Sequence, residues 1–210
     1  LVGGVDTLFG EASQKVQKYA DEAYKTAGMS ANAYMETVTS FSASLLQSLD
    51  GDTNAAADAA NQAVIDMSDN ANKMGTSIES IQNAYQGFAK QNYTMLDNLK
   101  LGYGGTKEEM ERLLADAEKI SGVKYDISNL NDVYGAIHVI QTELGITGTT
   151  AKEASTTIQG SAASMKAAWS NLLTGLATDT GNFDKVIANF VKSAETTISN
   201  VLPVIQKIAQ

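Results

Sequence analysis

One proline, Pro203, stands in a chain of 210 residues that also carries seventeen glycines. That ratio constrains the fold more than any other feature. Before residue 203 no position lacks the amide a helix needs, and glycine supplies the breaks. A body rich in Ala, Ser, Thr and Asn points the same way. The expected class is all-α, a bundle of about eight or nine amphipathic helices. They would form two helical subdomains, 1–92 in front and 93–210 behind, or one continuous helical domain.

Three places set a threonine three residues before a glutamate: Thr76 and Glu79, Thr106 and Glu109, Thr150 and Glu153. Each pair can satisfy two orphan amides of a helix start, the hydroxyl accepting from the third helical amide and the carboxylate from the cap amide. Gly28, Gly51, Gly75, Gly122, Gly145 and Gly160 each follow an amphipathic stretch and are expected to end it.

Apolar residues between these marks repeat at helical spacing. The predicted faces are Val16, Tyr19, Ala20, Ala23, Tyr24 and Ala27; Tyr34, Val38, Phe41, Leu45 and Leu49; then Ala60, Ala63, Val64, Met67, Ala71 and Met74. Further on come Ile78, Ile81, Tyr85 and Phe88; Met110, Leu113, Leu114, Ala117 and Ile120; and Leu130, Val133, Tyr134, Ile137, Ile140 and Leu144. Ala162, Met165, Trp169, Leu172, Leu173 and Leu176 form another, with Trp169 as its core anchor. The last runs from Phe183 through Val186, Phe190, Ile198 and Val201 to Ile205, kinked or restarted at Pro203. Residues 91–105 break the rhythm and are expected to form an ordered, non-helical, partly buried connection.

The chain has no cysteine and a single histidine, so thiolate chemistry and the usual metal cluster are absent from its repertoire. A net charge of −9 and a single arginine, Arg112, disfavour nucleic acid, and no apolar run is long enough to span a membrane. Asp50, Asp52 and Asn54 match the first ligands of a calcium loop, but Ala55 and Asn61 stand where its glycine and bidentate glutamate belong. They are a weak metal candidate, read first as a helix stop and cap. Residues 102–107 resemble a phosphate loop in the wrong order, Gly105-Thr106-Lys107, and no strand precedes them. Glu108, Glu109 and Glu111 read as a first helical turn, with Glu108 and Arg112 spaced as an i,i+4 pair. His138 reads as a boundary residue. From the residues alone, the chain is expected to be a helical structural or interaction protein, not an enzyme, and to need no cofactor.

Two stretches carry a resemblance. Residues 83–122, NAYQGFAKQNYTMLDNLKLGYGGTKEEMERLLADAEKISG, and 136–177, AIHVIQTELGITGTTAKEASTTIQGSAASMKAAWSNLLTGLA, resemble the recurrent N-terminal region of tail tape measure proteins of tailed bacteriophages and prophages of Gram-positive bacteria. Upstream, Lys15 to Tyr19, Met29 to Asn32, Phe41 to Leu45 and Ser68 to Gly75 fit the same family. The resemblance implies a minor tail protein of the virion, assembled in the bacterial cytoplasm, whose length sets tail length and which assists DNA delivery. It implies as partners the tail tube protein, tail assembly chaperones, distal tail or baseplate hub proteins and other copies of its own helices in the tube. Because the chain opens without methionine and stays in helical pattern at its end, it is expected to be a piece of a longer one. Extended as one helix it would measure ~315 Å, whereas the stops and caps favour a compact bundle of radius of gyration ~17 Å. The alternatives are a secreted or surface helical effector, a lytic domain using a glutamate such as Glu109 or Glu143, and a lipid-binding module, which the net charge argues against.

Overall fold

Side-chain caps set where most of the long helices begin. Ser30, Asp52, Ser77, Thr106 and Asn129 each accept a hydrogen bond from the amide three residues on. The computed structural model describes residues 1–178 and 183–209, and no strand occurs among them. Its helices are α1 (Val2–Phe9), α2 (Ser13–Thr26), α3 (Ala31–Ser48), α4 (Thr53–Met74) and α5 (Ile78–Ala89). They continue as α6 (Lys107–Ser121), α7 (Leu130–Glu143), α8 (Thr149–Thr156), α9 (Ile158–Thr178) and α10 (Phe183–Ala209). Only Thr157, in an extended conformation, separates α8 from α9, and the described residues form an all-α multi-helix fold.

Gly28, Gly51, Gly75, Gly122 and Gly145 take positive φ at the ends expected for them. Gly160 does not end a helix; it lies in α9, where a β-carbon would come within 2.3 Å of the Glu153 carbonyl oxygen. Glycine is there because α8 and α9 meet at that point. The first helix was not foreseen either. Gly3 and Gly4 lie inside α1, held by the burial of Val5 and Phe9.

α4 is the axis of the fold and packs against α1, α2, α3, α5, α7 and α8. Its small residues Ala56, Ala57, Ala60 and Ala63 let neighbours approach closely, and all four are buried. Around it one core extends from Val5 to Ile140 and draws on residues either side of 92/93. Phe41, Tyr85, Phe88 and Tyr134 form its aromatic centre, with Phe41 edge-on to Tyr134 at 5.5 Å and Tyr85 5.0 Å from Tyr134. Each buried ring of this kind contributes roughly 1.5–3 kcal/mol relative to exposure. The connection at 91–105 belongs to the same core. It contains a 3₁₀ turn, Leu96–Leu99, whose two leucines are buried with Tyr93. Gly105 passes so near Thr94 that a β-carbon would sit 2.2 Å from its carbonyl oxygen.

The faces predicted for α2, α3, α5, α6 and α7 are largely buried, although Ile120 and Leu144 at the C-terminal ends of two of them are exposed. α9 is rotated from expectation. Ser161, Ser164, Ala167 and Ala168 are buried, while Trp169 is 47% exposed and rests on Phe190 at 5.1 Å. Trp169 therefore covers a neighbouring helix and does not anchor the core. α10 continues through Pro203. The side chains of Leu176, Phe183 and Ile205, three members of the expected stripes, lie outside the described residues.

Candidate functional site

Two features stand out against this core: a polar network buried inside it and an apolar surface left outside it. The network is built on consecutive turns of α4, where Asp66, Asp69 and Asn70 are buried because helices surround α4 on every side. Asp66 is 1% exposed and accepts from His138 Nδ1 at 3.0 Å and from Gln62 Nε2 at 3.2 Å. Asn70 Nδ2 donates to Gln141 Oε1 at 2.8 Å and to the Leu99 carbonyl at 2.9 Å. Gln141 Nε2 returns a bond to the Asp66 carbonyl at 3.1 Å. These contacts fix α4 to α7 and to the 3₁₀ turn.

Burial pushes the Asp66 carboxyl above its ordinary range despite the opposing effect of His138. The hydrogen bond it donates to Asp66 raises His138, with burial of the ring working the other way. Both shifts favour protons in the folded state. The pair joins α4 to α7. Among the described residues no group of three His, Cys, Asp or Glu side chains is placed to hold a metal.

Asp69 reaches a different element. Its two oxygens accept from Gly148 N at 2.8 Å and Thr150 N at 2.9 Å, so it caps α8 across the fold. This corrects the capping box expected at 150–153. Thr150 lies inside α8 and its hydroxyl has no partner, while Glu153 accepts from Asn72 Nδ2 at 2.6 Å. The box at 76–79 is one residue out of register: Ser77, not Thr76, accepts from Ser80 N at 3.2 Å, and the Thr76 hydroxyl is buried without a partner. At 106–109 the threonine does cap, accepting from Glu109 N at 3.1 Å. The glutamate reaches past the cap amide to Gly104 N at 3.1 Å.

Glu109, not Glu108, is the partner of Arg112, at 2.6 Å. Arg112 also donates to the Gly102 carbonyl at 2.7 Å and lies 4.3 Å from the centre of the Tyr103 ring. The glycine turn at 102–105 is thereby clamped from α6. Arg112 and the Gly104 amide hold the Glu109 carboxyl down at about 2. Such a group stays ionised, the opposite of what a general acid requires. Asp52 caps α4 through Ala55 N at 3.0 Å, Asn54 accepts from Lys15 at 3.4 Å, and Asp50 takes a left-handed conformation in the turn.

The outer surface is carried by α9 and α10. Trp169 and Leu173 on the first, and Ile187, Val191, Ile198 and Leu202 on the second, are all exposed, Ile198 by 64%. Residues 187, 191, 198 and 202 follow one another at helical spacing along one side of α10, which gives a continuous apolar strip. The stripe expected for the last helix shares only Ile198 with this strip, and periodicity says nothing of what would cover it. The Asp66 network was also missed. Its one available signal was Gln141 standing inside an apolar stripe, one helical turn after His138 and next to Ile140.

No helix among the described residues is long and apolar enough to cross a membrane. The chain matches no family model, no curated protein and no solved structure.

Proposed function

We propose that this chain is a helical structural element of a phage or prophage tail, part of a tape measure protein that sets tail length during tube assembly and assists DNA delivery. The sequence resemblance over 83–122 and 136–177 is the source of this reading. The observation that carries it is the strip of exposed Trp, Leu, Ile and Val on α9 and α10, because apolar surface arranged along a helix pair marks a protein contact. Its partners in this role are the tail tube protein, the assembly chaperones, the distal hub proteins and other copies of the same helices. It works in the virion and is assembled in the host cytoplasm.

The test is an in-frame deletion of residues 76–122 in the encoding gene, with tails measured by electron microscopy. If the segment acts as an extended ruler, tails shorten by about 70 Å at ~1.5 Å per residue. If it acts as a folded element, tails fail to assemble or to deliver DNA. Tails of unchanged length, number and infectivity would overturn the proposal.

A further inference from the structure

Between α2, α8, α9 and α10 lies a cavity of about 300 Å³, at the small end of the range for ligand pockets. Its charge runs against that of the molecule. The chain holds 24 acidic and 15 basic residues, yet among the described residues no Asp or Glu lines this cavity, and Lys25 and Lys192 do. The larger cavity beside α6, of about 600 Å³, shows the usual balance, with Glu111, Glu118 and Asp126 beside Lys124. Neither Lys25 nor Lys192 has an ion pair among the described residues.

Two hydroxyls in the wall are also unpartnered. Tyr24 is 4% exposed and Ser164 6% exposed, both line the cavity, and neither hydroxyl has a hydrogen bond among the described residues. The neighbouring serines do not share this state: Ser161 Oγ donates to the Thr157 carbonyl at 2.6 Å and Ser193 Oγ to the Asn189 carbonyl at 2.9 Å. Neither oxygen is among the sealed, unpartnered atoms of the fold, so both open onto the cavity, where a ligand can accept from them. Two ammonium groups and two free hydroxyls are all able to donate, and what they lack is an acceptor. Ala151 and Ala154 complete the wall with apolar surface.

We propose that this cavity binds a small amphipathic anion, a monocarboxylate with a short apolar tail. Lys25 and Lys192 balance its charge, the hydroxyls of Tyr24 and Ser164 donate to its oxygens, and the tail lies against Ala151 and Ala154. The site stands independently of any role in a phage tail.

Calorimetric titration of the full chain with octanoate tests it, with octylammonium and inorganic phosphate as comparison probes. Octanoate is expected to saturate one site and to bind at least about tenfold more tightly than either, since one charge-assisted hydrogen bond is worth about that factor. Lys192→Gln and Tyr24→Phe should each weaken octanoate about five- to tenfold, whereas Lys124→Gln, at the other cavity, should leave it unchanged. Thermal melts confirm that each variant is folded, and Lys192→Gln, at an exposed position, keeps the test sound if Tyr24→Phe is unstable. Equal affinity for octanoate and octylammonium overturns the proposal, as does undiminished binding by Lys192→Gln. Phosphate binding as tightly as octanoate overturns the role of the apolar wall.

Discussion

The body formed by α1–α7 and the hairpin formed by α9 and α10 are made from the same kind of amphipathic helix, yet they bury their apolar faces to very different extents. In the body those faces turn inward around α4, and Phe41, Tyr85 and Tyr134 are all but sealed from solvent. The hairpin meets the body through little more than Tyr24, Ala167, Ala168 and Phe190. Polar ties join it as well: Asn171 accepts from Ala31 N at 2.7 Å, and Lys185 pairs with Asp21 at 3.5 Å. Trp169, Leu173, Ile187, Val191, Ile198 and Leu202 stay exposed. Amphipathicity makes a helix, then, but the presence of a surrounding partner decides whether the helix has a core. Contacts of the hairpin's kind belong to the low-stability end of a fold, where local opening precedes global unfolding.

The comparison breaks first on truncation of one aromatic in each region. Phe41→Ala removes a buried ring and should cost about 3–5 kcal/mol in denaturant melts, whereas Trp169→Ala, half exposed, should cost about 1 kcal/mol or less. Equal losses would mean that the hairpin is as fully packed as the body.

A substitution at the junction sharpens the comparison. Asp69→Ala removes the cap that the body lends to α8 and should cost about 1–2 kcal/mol. The effect should show in hydrogen exchange chiefly as faster exchange in α8 and the elements after it, with α3 and α5 little changed. Uniform acceleration would place Asp69 in the global core alone.

The smallest effect is in pH. His138 and Asp66 both have raised values in the folded state, so the fold binds more protons than the unfolded chain where they titrate. The stability His138 contributes is complete below its unfolded value of about 6.5 and is lost as pH rises through its higher folded value. Melts should therefore weaken as pH rises above about 6.5, and His138→Gln should flatten that dependence. A slope unaltered in His138→Gln would assign it to other groups.

Much of the body was legible in the sequence because its signals are local. Ser, Thr and Asp before helical runs, glycines after them and apolar spacing of three and four residues specify helices without reference to neighbours. What was illegible depended on neighbours. Thr76 and Ser77 are both adequate caps, and only the packed entry to α5 selects Ser77. The cap of α8 comes from Asp69, 79 residues before Gly148, at a separation no capping motif spans. Asp66 and Asn70 sit on what looks like the wet side of α4, and they are buried because six helices surround it. Trp169, as the largest apolar residue of its helix, was the natural anchor by size. Gly160 lets α9 meet α8 closely, and α9 buries Ser161, Ser164, Ala167 and Ala168 while the indole stays half exposed.

Hydrogen exchange of the unmodified chain, followed by mass spectrometry under native conditions, tests the division between body and hairpin most directly. Peptides from α9 and α10 should exchange through openings that expose them alone and respond weakly to added denaturant, while peptides from α3, α4 and α5 exchange only with global unfolding. Protection in α9 and α10 equal to that of α4, lost in the same single transition, would contradict the account.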